Sequence, residues 1–114
     1  MEVNRLELHD LLSSVMESEG ESPNLYFQPP ETVKLAYPCI VYRLAYMTSD
    51  YADDDPYRIR ITYDITYITR SPTSKVPTDL TRSHGFAFDR YYISDNLHHY
   101  VYRYTSTLKE EAND

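Results

Sequence analysis

Apolar residues recur at helical spacing through the first eighteen positions and at every second position through much of the remainder, so the chain predicts one helix followed by strands. Leu8, Leu11, Leu12 and Val15 form the helical stripe, flanked by Leu6 and Met16, and no Pro or Gly intervenes before Gly20. An amphipathic helix over residues 3–18 follows, with Glu7, Asp10, Glu17 and Glu19 on a solvated face. The run Glu19-Gly-Glu-Ser-Pro23 ends it with a glycine followed by a helix breaker.

Residues 24–28 read as a short extended segment stopped by Pro29-Pro30, which confines it to a sheet edge. The run resembles a protease recognition sequence, but the two prolines stand where such a site carries a small residue, so it is read as native. A loop is expected over 31–37. Residues 39–47 alternate as a strand, with Ile40, Tyr42, Leu44 and Tyr46 on one face and Cys39, Val41, Arg43 and Ala45 on the other. The cleanest alternation is Tyr57, Ile59, Ile61, Tyr63, Ile65 and Tyr67 against Arg58, Arg60, Thr62, Asp64 and Thr66, a half-buried strand. Residues 48–56 form the tip of a long hairpin, and 71–83 a crossing loop with a helical turn near 78–82. Strands over 86–93 and 97–107 are joined by Ser94-Asp-Asn96 turn chemistry. In the last strand His98, Tyr100, Tyr102 and Tyr104 share one face, and Leu97, His99, Val101 and Arg103 the other.

The expected architecture is therefore α+β: an N-terminal amphipathic helix packed on a small antiparallel sheet of two hairpins plus a short edge strand. One domain spans 1–114, divided as helix 1–22, sheet 24–107 and polar tail 108–114. At 114 residues a second domain does not fit.

Charge and composition narrow the function. The net charge of -7 is uneven. Residues 1–22 hold one Arg against six carboxylates and residues 50–55 hold four Asp, whereas residues 58–103 hold seven Lys or Arg against four Asp. The global acidic balance argues against tight non-specific nucleic-acid binding. A single cysteine, Cys39, sits in an apolar run and reads as a buried structural thiol in a reducing compartment. No signal-peptide pattern and no spanning apolar run is present, so no membrane contact is expected.

No catalytic set or cofactor site emerges, and an enzyme is not expected. Asp50, Asp53, Asp54 and Asp55 could gather oxygen ligands, but the alternating acids, central Gly and terminal Glu of a calcium loop are missing. A solvated turn or a contact surface, with Tyr51 among its residues, fits better than a metal site. His98 and His99 point to opposite strand faces and have no third ligand at zinc spacing. Asp89-Arg90 with Asp95 lacks any accompanying nucleophile or phosphate loop, and charged pairing at a strand end or subunit contact accounts for it. Thirteen Tyr are more than one small core absorbs with satisfied hydroxyls, and tyrosine suits protein interfaces.

Several segments together resemble a known family. Leu25-Tyr-Phe-Gln-Pro-Pro30, Tyr37-Pro-Cys-Ile-Val-Tyr42, Asp50-Tyr-Ala-Asp53, Tyr63-Asp-Ile-Thr-Tyr-Ile-Thr-Arg70 with Ser71-Pro72, and Phe88-Asp-Arg-Tyr91 with Asp95-Asn-Leu-His98 are similar to short proteins of the head-tail module of long-tailed bacteriophages. These are called tail terminator, tail completion or minor head-tail joining proteins, and the resemblance covers residues 25–104. It implies a homohexameric ring in the virion, assembled in the host cytoplasm. Such a ring caps the head-proximal end of the tail tube, stops tube polymerisation and docks the head connector, with DNA passing through its lumen. On that reading Asp50, Tyr51, Asp53, Asp54 and Asp55, or Lys75, Asp79 and Arg82 of the crossing loop, contact tube or connector. Arg90, Tyr91, Tyr92, Tyr100 and Tyr102 are the expected subunit contacts. Two alternatives stay open: a head completion or connector subunit, and a small binding module or enzyme holding a cation on the Asp cluster.

Overall fold

The structure, a computed structural model, describes residues 2–52 and 55–109, with side chains described over 5–49 and 58–107. It is a small compact α+β domain. The chain runs through α1 (Glu2–Ser18), β1 (Leu25–Phe27), β2 (Cys39–Ala52), β3 (Asp55–Thr69), α2 (Val76–Arg82), β4 (Phe86–Ser94) and β5 (Leu97–Lys109). The five strands form one sheet in the order β1-β2-β3-β5-β4.

The burial of α1 follows its stripe. Leu8, Leu12 and Met16, four residues apart, are fully buried, while Leu11 and Val15 are half-buried and Leu6 is exposed. The helix stops at Gly20, which adopts a left-handed φ of 76°. Gly20 N–H donates to Glu17 O at 3.0 Å and Glu21 N–H donates to Met16 O at 3.0 Å, the paired bonds of a glycine C-cap. This reversal carries Glu21 back toward the sheet.

The expected all-antiparallel sheet requires correction, because it is mixed. β1 pairs parallel to β2, Leu25 with Ile40 and Phe27 with Tyr42, whereas all other pairings are antiparallel. The cause lies in residues 28–38, which carry the chain back to the end from which β1 began. Pro29, Pro30, Val33 and Leu35 of this return border a cleft whose other side is formed by Val41, Ile68 and His99. It therefore runs beside the sheet face away from the helices.

Three further expectations change. β2 continues to Ala52 and β3 begins at Asp55, so much of the expected loop at 48–56 is a strand-paired arm. The turn near 78–82 is a two-turn helix from Val76, with Val76, Pro77 and Leu80 buried; Pro77 lies in its first turn, where a missing N–H costs nothing. β5 extends to Lys109, taking residues 108 and 109 out of the expected tail, and residues 110–114 lie outside the described residues. The sheet-face expectation for 39–47 also fails at one residue. A bulge at Ala45 shifts the register between Leu44 and Tyr46, so Tyr46 pairs with Thr62 and joins the face opposite Tyr42.

One continuous cluster forms the core. It joins Leu8, Leu12 and Met16 of α1, Ile40 and Tyr42 of β2, Ile61, Tyr63, Ile65 and Tyr67 of β3, Tyr102 of β5, and Val76 and Leu80 of α2. The odd positions of β3 read as apolar in the sequence are, from Ile61 to Tyr67, the centre of this core.

Candidate contact surfaces

Buried tyrosine hydroxyls need partners, and here they fix the loop between β3 and β4. Tyr67 donates to Glu21 Oε1 at 2.6 Å and lies 2.8 Å from Ser74 Oγ, which itself donates to Glu21 Oε2 at 2.9 Å. Burial, reinforced by the Glu21 hydrogen bond, pushes the Tyr67 phenol well above its usual range. Tyr102 donates to Pro77 O at 2.8 Å and lies 3.0 Å from Thr81 Oγ1, tying α2 to β5. Tyr42 meets His9 Nδ1 at 2.9 Å. In the sequence Glu21 stands only as part of the run that ends the helix, with no role of its own. Its position directly after the helix-ending glycine was the one available signal.

The expected contact residues separate into groups. Asp53 and Asp54 lie outside the described residues, while Asp50, Tyr51 and Asp55 take part in the β2–β3 ladder opposite Arg58, Pro56 and Ala52. Lys75 precedes α2 and is exposed, as is Arg82 in its last turn; Asp79 is half-buried. Glu19 is raised above the usual carboxylate range, first by a hydrogen bond to Asp79 and then by burial. This brings the end of α1 beside α2.

Arg90, Tyr91 and Tyr92 follow one another on exposed β4, and Tyr100 is half-buried beneath Tyr91, its ring 4.8 Å away. Tyr102 belongs elsewhere: it is fully buried, and its hydroxyl is spent on α2, so it acts as a core residue. Arg90 pairs at 2.6 Å with its neighbour Asp89 in an exposed ion pair. A bulge between Phe88 and Arg90 produces this adjacency and changes which side chains share a face. Phe88, Tyr91 and Ile93 stand opposite Tyr102, Tyr100 and His98 on the helix side, and Arg90 and Tyr92 stand opposite Val101 and His99 on the other.

The two histidines serve this strand. Tyr91 Oη lies 2.7 Å from His98 Nδ1, and Tyr92 stacks on His99 with centroids 4.5 Å apart at 10°. Neither face supplies a metal set: no group of three metal-ligating side chains occurs among the described residues. Cys39 is buried, and burial pushes its thiol from 9.0 to about 11, which leaves it protonated and unreactive at neutral pH.

Two surface features remain. A groove of about 330 Å³ runs between α2 and the outer strands, lined by Pro77, Thr81, Arg82, Phe88 and Tyr100. On the face away from the helices, Arg43, Asp64 and Arg103 line up across three strands, with Arg103 Nε 3.2 Å from Asp64 Oδ1. Phe88, Tyr91, Tyr92 and Ile93 on β4, together with Leu44, Tyr46 and Met47 on β2, are among the large apolar side chains left exposed. They occupy two separate strands. Among the described residues no helix is long and apolar enough to cross a membrane. Compared with known proteins, the sequence matches no family model and no curated protein.

Proposed function

We propose that the protein is a structural virion component, a tail terminator that forms a ring at the head-proximal end of a phage tail tube and joins tail to head. The observation that carries the reading is the exposure of Phe88, Tyr91, Tyr92 and Ile93 on an edge strand. Phe88, Tyr91 and Ile93 share the helix side of that strand, and an exposed apolar row of this kind marks a protein contact. The resemblance of residues 25–104 to head-tail joining proteins supplies the kind of contact. The finer architecture belongs to the same proposal: an N-terminal helix packed across two hairpins, with a short edge strand beside them.

On this reading the protein works by contact and not by catalysis. Its partners are further copies of itself, the tail tube protein and the head connector, and DNA passes through without being held. The acidic arm around residues 50–55 and the α2 segment with Lys75, Asp79 and Arg82 are the surfaces offered to tube or connector. A head completion subunit is the second reading, supported by the same exposed strand.

Electron microscopy of a lysate from a phage with this gene disrupted tests the proposal. Abnormally long tubes, or tails that fail to attach because their upper end is uncapped, are expected. Normal free tails that join wild-type heads on mixing would move the assignment to the head side, and normal virions would sink both readings.

A further inference from the structure

The sheet has two unlike open edges. β4 forms one along its whole length, with β5 as its partner on the other side. The second is less obvious. β1 covers β2 only from Ile40 to Tyr42, and beyond Tyr42 no described strand lies on that side; the Leu44 N–H donates to Gln28 Oε1 at 3.2 Å, and the rest of the upper half of β2 carries no strand. Exposed edges are usually kept short, charged or covered, because their free N–H and C=O groups recruit other strands. Each of these edges carries a bulge, and β4 the Asp89–Arg90 pair, yet large apolar side chains stay exposed on both faces: Leu44 and Met47 against Tyr46 on β2, and Phe88, Tyr91 and Ile93 against Tyr92 on β4. Met47 is 49% exposed and Ile93 59%. The bulge at Ala45 decides which face each β2 side chain takes, sending Tyr46 away from the helices and Met47 toward them.

We infer that the chain associates head to tail with a second copy of itself, the open stretch of β2 beyond Tyr42 in one copy pairing antiparallel with β4 of the next. Strand direction permits it. With β2 running up, β3 runs down, β5 up and β4 down, so β4 meets the β2 of an identically oriented neighbour in the antiparallel sense. Charge favours it. In that pairing the start of β4, with exposed Arg82 and His84 just before it, approaches the neighbour's β2–β3 arm, whose residues 50–55 include four Asp.

Register favours a closed assembly. Phe86 stands level with Leu44 through Tyr104 and Tyr63, and Arg90 with Val41 through Val101 and Thr66. To clear the neighbour's β1, β4 must slide along it by about six residues, roughly 20 Å at ~3.3 Å each. Spread over the four strands separating one open edge from the next, roughly 19 Å at ~4.8 Å each, that slide tilts the strands by about 45°, at the upper end of the tilt in closed sheets. Unlike edges that repeat head to tail give rings when the rotation closes, whereas matching edges give only dimers. The inference rests on the ring reading above only for closure, since the pairing itself stands on the edges.

Two double variants of the full chain test it. Phe88→Glu with Ile93→Glu blocks the β4 edge, and Tyr46→Lys with Met47→Lys blocks the β2 edge; all four positions are exposed, and far-ultraviolet circular dichroism with a thermal melt verifies folding. In sedimentation velocity over a concentration series, the wild-type chain is expected to form species beyond the dimer, and each variant alone to remain monomeric. Mixed in equal amounts, the two variants are expected to form a heterodimer and nothing larger, because each retains the edge the other needs. A wild-type chain that stays monomeric at the highest concentration, a β2-blocked variant that dimerises alone, or a mixture of folded variants that stays monomeric would each overturn the inference. Failure here is separable from failure of the terminator reading: normal virions from the disrupted phage would leave the pairing standing, and monomeric protein would leave the tail phenotype standing.

Discussion

β3 and β4 are built from the same kinds of residue and end in opposite states. Ile61, Tyr63, Ile65 and Tyr67 on β3 are buried, whereas Phe88, Tyr91, Tyr92 and Ile93 on β4 are exposed. Position makes the difference. β3 lies between β2 and β5 and contributes to a core shared with both helices, while β4 has a strand on one side only, and its contacts with α2 leave it exposed from Ala87 onward. β-branched and aromatic alternation reports a fit to a pleated surface; topology decides whether that surface is covered. The largest predicted contrast follows from this. Ile65→Ala removes a fully buried side chain and should cost about 3–4 kcal/mol, whereas Ile93→Ala should change stability by less than about 0.5 kcal/mol. Urea denaturation of the monomer reads both, and equal losses would break the comparison.

The junction leading into β4 should show an intermediate effect. Gly85 has a φ of 90°, and a Cβ built there would lie 2.9 Å from Tyr104 Cε1. Gly85→Ala therefore meets both an unfavourable backbone region and a ring that must move, for a loss of about 1–2 kcal/mol. Gly20→Ala meets the same backbone penalty, with a φ of 76°, but open space around the new methyl, and should lose only about 1 kcal/mol. A greater loss at Gly20 than at Gly85 would show that contact with Tyr104 is not what fixes the entry to β4.

The buried region should also differ from the exposed one in its response to alkali. Burial raises Cys39 from 9.0 to about 11 and raises Tyr42, Tyr67 and Tyr102 above 10.0. In each case the folded state holds its proton more tightly than the unfolded chain. The resulting stability is complete below pH 9, where neither state ionises, and is lost as the pH climbs through the folded values. Stability should be flat from neutral pH to about 9 and fall above it. Cys39→Ala should flatten the first part of the fall, and Tyr67→Phe the part above about pH 10. An unchanged slope in both variants, followed by urea midpoints across the alkaline range, would show that the alkaline transition begins elsewhere.

How much of this was legible depended on whether the signal was local. The stripe of α1 and the alternation of β3 are local, and both lie where periodicity put them. The parallel placement of β1 was not local: Leu25, Tyr26 and Phe27 fit either direction, and only the return of residues 28–38 decides it. The bulges at Ala45 and Asp89 leave no composition signature, yet they determine which face receives Tyr46, Tyr91 and Tyr92. For the contact surfaces, tyrosine excess pointed to exposed aromatic residues and β4 carries them, but no count could tell Tyr102, whose hydroxyl meets Pro77 and Thr81, from Tyr92, which stacks on His99 in the open. Glu21 was hidden because its partners Tyr67 and Ser74 are 46 and 53 residues away.

The smallest predicted effect concerns the polar row of Arg43, Asp64 and Arg103 on the sheet face away from the helices. Arg103 and Asp64 pair at 3.2 Å with side chains 51% and 37% exposed, so water competes at both ends. An exposed pair of this kind is worth at most about 0.5–1 kcal/mol, and salt weakens it further. The Arg103 guanidinium also lies 5.8 Å from the centroid of the Tyr46 ring. That contact needs the flat guanidinium and not merely its charge. Arg103→Lys should therefore lose a few tenths of a kcal/mol, and Arg103→Ala slightly more, with only the latter difference shrinking in high salt. If Arg103→Ala instead cost as much as Ile65→Ala, the polar row would be as structural as the core, and the contrast between covered and uncovered strands would not describe this sheet.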